Sequence, residues 1–425
     1  VEVFPSTKEF LVEADEVIAY SGNTGGSGGP HLHFEIRDNQ ERPINPMLFG
    51  IDVKDTKAPF VSAIYAYPKD ENAIINGENE RVPLRLIPQK SGDYEVEKIT
   101  AYGNIGFGVT SYDKQDLAPN SNGVSNIETF FNGNKSLEID FKRFSFEESK
   151  HIKRLIDYEY FKSKRSRIQK LFIQKNNPLS LYKDAYDNGY IRVEDSTASV
   201  YKVRIRDYEG NETWITIPVV GNYETLEKEE ADSVQTKSLV HSNKATELES
   251  ENIKVNFYAN TLYDNAFIDF KVDSDTLYLH KDNIPLQKNF YINYDLSHYK
   301  SKHLDKIFIA RLYGYYRKPG YVYTKRKGNI ISAGSKIFGT YTLAMDTVSP
   351  TIAAINFQDK KWLSKYRYLQ VKIADELSGI SKYRATVNGK WILMEYDYKT
   401  KTITHDFNDN IIKDMKNELK IIVTD

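Results

Sequence analysis

His31 and His33 are the residues of this chain whose types and spacing most invite chemistry. They stand in residues 22–38, GNTGGSGGPHLHFEIRD, behind five glycines in eight residues. In an extended strand, residues i and i+2 point to one face. The two imidazoles would then project together, with Glu35 next along that face, while Leu32, Phe34 and Ile36 turn into a core. One imidazole can ligate a metal while the other moves protons. The same pair can also decorate an exposed strand face and do nothing.

Two other readings of the glycines fail on context. A phosphate-binding loop needs a Lys followed by Ser or Thr after its last Gly, or a helix opening directly behind the glycines. Here Gly29 is followed by Pro30 and His31. Gly25-Gly26-Ser27-Gly28-Gly29 is a literal G-x-S-x-G match. That motif needs a strand, a sharp turn at the Ser and then a helix. Gly-Gly-Pro and an alternating stretch follow instead, which excludes a serine hydrolase.

The elements that must position these residues read as mostly β. Tyr (31 residues) and Phe (21) are abundant and fall in alternating patterns suited to half-buried strands. Residues 1–54 read as short strands, FLVEA, EVIAYS and HLHFEIR, closed by a turn at PINP. Residues 55–221 read as a β-sandwich with an inserted helix near 146–157. There Ser145 and Glu148 form a capping box, and Ile152, Leu155 and Ile156 recur at helical spacing. Residues 222–252 are polar and read as a linker or long loop, residues 253–345 as a second sandwich-like domain, and residues 346–425 as an Ig-like sandwich. Asn388-Gly389 marks a two-residue hairpin in the last of these.

Two echoes suggest that sandwich domains are repeated. DTKAPFV (residues 55–61) recurs as DTVSPTI (residues 346–352). VRIRDYEGN (residues 203–211) is echoed by the final IIVTD, which aligns Asp425 with Asp207 and makes the last domain look clipped. The start, VEVFPSTKEF, carries neither Met nor signal peptide and reads as mid-protein.

Bulk composition excludes several classes. With 58 basic and 59 acidic residues the net charge is −1, which gives no electrostatic reason to bind nucleic acid. No apolar run approaches the roughly 20 residues of a membrane helix. There is no Cys, so disulfides and thiolate zinc sites are excluded, and any metal must use His, Asp or Glu.

Residues 22–35, followed by PINP, closely resemble the C-terminal motif of the lysostaphin-type (LytM-like) zinc endopeptidases, and the downstream regions are more loosely similar to accessory domains attached to such peptidases in envelope proteins of Bacteroidota type. The resemblance implies a partial lysostaphin-like β domain over residues 1–54 and hydrolysis of peptidoglycan cross-link peptides in the periplasm or cell envelope. It also implies His33 as a zinc ligand, His31 as the catalytic acid/base, and Gly25, Ser27, Gly29 and Pro30 as the loop that shapes the His-x-His strand.

The family's other zinc ligands come from an upstream His-x-x-x-Asp, and no His precedes His31 here. Only His405 with Asp409 fits that pattern, downstream and in the wrong order, and it reads as a surface coincidence. Zinc is therefore expected only with ligands upstream of Val1. The alternative is a non-catalytic scaffold, with these sandwiches docking to partners in an outer-membrane or secretion complex.

Overall fold

Alternation of apolar and polar residues along short strands dictates most of the structure. The computed structural model describes residues 6, 8–23, 26–51, 53–223, 237–412 and 415–425. The fold is mostly β, in several sheets with little helix. The chain divides into two compact units, Glu35–Met345 and the residues up to Phe34 together with Asp346–Asp425.

Within Glu35–Met345, the first sandwich spreads from the strand Phe60–Pro68 to Glu212–Gly221. In Glu212–Gly221 every second side chain, Thr213, Ile215, Ile217 and Val219, is buried. This strand runs antiparallel to Ala198–Arg206 and parallel to the start of Ile99–Tyr112. Phe107 and Tyr201 stack at its centre with ring centroids 4.2 Å apart, both fully buried. Burial of one such ring contributes roughly 1.5–3 kcal/mol. Gly106 is required by close approach, because a Cβ there would lie 2.4 Å from Phe172 Cδ1.

The expected helix is broken into pieces. Ser145 caps as predicted, but it accepts from Glu147 N, and Glu148 turns away to accept from Ser180. The capping box is therefore not closed. A 3-10 turn (Phe146–His151) and a single turn, Ile152–Leu155, end at Ile156, whose backbone is extended. Asp157 then starts a new helix, Tyr158–Lys164, by accepting from Tyr160 N at 2.9 Å. A strong cap placed inside a helical period resets the helix. Leu155 and Ile156 are buried, whereas Ile152 is exposed.

The second sandwich pairs a six-stranded with a five-stranded antiparallel sheet. Phe257, Phe290 and Phe338 fill its centre, the last two stacked at 5.4 Å. The polar stretch read as a linker is corrected here. Lys237–Val240 and Thr246–Ser250 are strands of this domain, paired with Ala266–Asp273 and Ile253–Phe257. Only Val240 and Leu248 turn inward, so edge strands with charged outer faces looked like a linker. Residues 224–236 of that stretch lie outside the described residues. The helical pieces of the first sandwich dock this domain. His151 Nδ1 lies 2.9 Å from Tyr263 Oη, and Tyr158 donates to Asp282 at 3.1 Å.

The last domain has a four-stranded and a three-stranded sheet around Leu369, Val371, Ile373, Ala385 and Ile403. Lys382–Val387 turns back into Lys390–Ile392 with Val387 opposite Lys390. Asn388 (φ 50°) and Gly389 (φ 77°) are both left-handed, as a type I′ hairpin requires.

Residues 6–51 depart furthest from expectation. FLVEA and EVIAYS form no strand, and Leu11, Ile18 and Tyr20 are exposed. HLHFEIR contributes only Ile36–Arg37, paired with Pro43–Ile44. Leu32 is 87% exposed and Phe34 59%, not packed in a core. A strand persists only where a neighbour takes its N–H and C=O groups. Among the described residues, no strand pairs with 31–35. The PINP stretch becomes a short strand and a 3-10 turn, Pro46–Phe49, capped by Asn45. It packs on the first sandwich, where Asn45 N donates to Lys142 O and Tyr208 donates to Met47 O.

Candidate functional site

The glycine turn brings Ser27 and His31 together. Ser27 Oγ donates to Gly29 O at 2.5 Å and accepts from Gly29 N at 3.2 Å. His31 Nδ1 lies 2.9 Å from Gly29 O and 2.8 Å from Ser27 Oγ. With its proton on Nδ1, His31 donates to the Gly29 carbonyl and leaves the Nε2 lone pair available. A backbone carbonyl that fixes a histidine tautomer in this way is a common arrangement for imidazoles that act as bases or ligands. Pro30 sits between the two partners and fixes the approach of the chain. Lys399 of the last domain clasps the same turn, donating to Asn23 O at 2.8 Å, to Asn23 Oδ1 at 3.1 Å and to Ser27 O. Gly25 lies outside the described residues. At Gly26, Gly28 and Gly29 a Cβ would meet open space, so close packing does not demand glycine there.

His33 is exposed and no group of three ligand atoms among the described residues includes it. Glu35 is held by Arg37, whose Nε donates to it at 2.6 Å. His405 is 1% exposed, with Nδ1 2.9 Å from Leu393 O and 3.7 Å from Asp409. The surface reading of that pair is therefore corrected: His405 sits on the inner face of Thr402–Asp406 and belongs to the core.

Two carboxylate clusters escaped the sequence reading. Oxygens of Asp55, Asp113 and Asp207 lie within 4.8 Å of one another, and so do those of Asp346, Asp375 and Asp425. At such separations each ionised pair costs roughly 3 kcal/mol at an effective dielectric of about 20. Burial pushes the Asp113 carboxyl up to about 6, against a hydrogen bond from Lys114 N and helped by the charges of Asp55 and Asp207 and a hydrogen bond with Asp55. Burial likewise raises Asp207, against hydrogen bonds from Asn211 and Gly210. The repeated Asp-Thr turns were the visible trace of these clusters, but the central members, Asp113 and Asp375, stand in no repeated motif.

The glycine turn, its histidine pair and the strand behind them fall inside one stretch with a known counterpart. Residues 7–46 match the model of peptidase family M23. The M23 stretch holds His31, His33 and the whole turn around Ser27. Residues 237–346 match the Zu5-like domain model, which covers the second sandwich. No curated protein matches the chain.

M23 peptidases are generally zinc-dependent. Catalytic zinc takes three protein ligands and keeps one position open. In the described residues the M23 stretch offers His33 without a three-ligand group around it, so these residues alone do not fit a catalytic zinc.

Proposed function

We propose that this is a cell-envelope peptidase directed at the cross-link peptides of peptidoglycan, with its sandwich domains serving as accessory modules that hold it at its site of action. The match of residues 7–46 to the M23 family carries this reading. His33 contributes one metal ligand and His31, held by Gly29 and Ser27, acts as the proton-transfer group. Activity requires further ligands beyond the described residues. The protein from its native source is expected to release peptides from purified peptidoglycan. His31→Ala should lower turnover by about 10²- to 10⁴-fold with zinc content unchanged. Normal cleavage by His31→Ala would remove His31 from the reaction.

A second reading has one observation in its favour. None of the described residues 6–51 is buried, and Leu32 and Phe34 face solvent. A scaffold that docks to outer-membrane or secretion partners through its sandwiches needs no working site. Stable co-purification with membrane proteins, together with no peptide release, would favour it.

A further inference from the structure

We propose that Asp55, Asp113 and Asp207 form a calcium-type divalent-cation site.

The observation that points to a ligand is Asp113. It is 5% exposed; Lys114 N reaches its carboxyl, but its Oδ1 is buried with no hydrogen-bond partner among the described residues. A buried carboxylate oxygen is normally satisfied, and leaving one orphaned is costly. Its surroundings are two more carboxylates, with Asp207 itself only 6% exposed. Among the neighbouring lysines, Lys57 reaches Asp116 at 3.9 Å and Lys114 lies over the Tyr112 ring. A cation would satisfy the orphan oxygen and relieve the mutual repulsion together.

The donor set indicates which cation. All three groups are hard carboxylate oxygens, with no nitrogen or sulfur, which suits Ca²⁺ and not zinc. Ca²⁺ binds oxygen at about 2.4 Å, so oxygens up to about 4.8 Å apart can flank one ion. The cradle is held in place. Asp207 accepts from Gly210 N, Asn211 N and Asn211 Nδ2, and Asn211 Nδ2 also donates to Asp55 O. Asp113 exchanges both backbone hydrogen bonds with Asn122.

The cluster of Asp346, Asp375 and Asp425 repeats this one by strand register, although there Ser378 N and Oγ donate to Asp346 and Leu377 N and Gly379 N donate to Asp375. Asp55 Oδ1 accepts from Lys57 N, and Asp346 Oδ1 accepts from Val348 N, each at 3.1 Å. A proline follows each turn, and the next residue opens a strand: Phe60 pairs with Tyr112, and Thr351 pairs with Ala374. The residue after each partner is the second Asp, Asp113 or Asp375. The third, Asp207 or Asp425, directly follows the strands Ala198–Arg206 and Leu419–Thr424. Two domains thus bring the same residue type to the same three topological positions.

The test uses the full chain, stripped with chelator and titrated with CaCl₂ in a calorimeter and in thermal unfolding. Wild type should bind Ca²⁺ with Kd at or below about 10⁻³ M, and Asp113→Asn should bind one ion fewer per chain. Without calcium Asp113→Asn should melt above wild type, because a charge repulsion is gone. With saturating calcium that order should reverse. Asp116→Asn, outside the cluster, should keep the wild-type stoichiometry and serves as the folding control. No binding up to about 10 mM Ca²⁺, or Asp113→Asn binding as many ions as wild type, would overturn the proposal.

Discussion

The guanidinium of Arg154 lies 2.7 Å from the carboxylate of Asp264, and through that pair the helical segment of the first sandwich holds the second. Arg154 is 6% exposed, donates also to Lys175 O at 2.8 Å, and lies 5.0 Å from the centre of the Tyr263 ring. Asn176 adds a hydrogen bond to Tyr263 O. Arg154→Ala removes the charge, the stacking and the carbonyl contact at once. It should cost about 2–4 kcal/mol. Calorimetry should then show the two sandwiches melting in separate transitions. A single unchanged transition would mean that this contact does not couple them.

Asp157 is the counterpart inside the first sandwich. It caps Tyr158–Lys164, accepts from Tyr67 at 2.9 Å and pairs with Arg81 at 2.6 Å. Burial pushes its carboxyl up, but the Tyr160 N–H and the Arg81 guanidinium outweigh burial and hold it below the usual range. A folded pKa below the unfolded value of about 3.9 means the stabilisation is complete above that value. It is lost as pH falls through the folded pKa. Asp157→Ala should cost about 3 kcal/mol at pH 7. Urea unfolding at several pH values should show the gap from wild type closing only below about pH 4. A gap constant down to pH 2 would contradict an ionised Asp157.

Gly389 tests the hairpin read from sequence. At φ 77° an Ala would be held in the left-handed region, at a cost of about 1–2 kcal/mol. The Ala variant should lower the denaturation midpoint of the last domain by that amount. No change would mean that the turn has relaxed to another type.

What could be read from the sequence follows from how local each determinant is. The Asn388-Gly389 turn, the Ser145 cap and the alternation of Glu212–Gly221 are written in adjacent residues, and all three are present. HLHFEIR has equally clean alternation, yet alternation states only which face a strand would bury if a neighbour paired with it. Lys237–Val240 and Thr246–Ser250 failed in the opposite sense, because edge strands carry charge on their outer faces. His405 was misread because burial depends on which sheet face Thr402–Asp406 presents. The acidic clusters were half visible. Asp55 and Asp346 sit in a repeated motif, but Asp113 and Asp375 are brought to them by register across the sheet.

The peptidase reading rests on His33 more than on any other residue. The most direct measurement is zinc per chain, by plasma mass spectrometry, on wild type and His33→Ala isolated from the native source without chelators. About one zinc per chain is expected in wild type and none in His33→Ala. Wild type without zinc would overturn the peptidase reading, and a His33→Ala protein that retains zinc would remove His33 from its ligands.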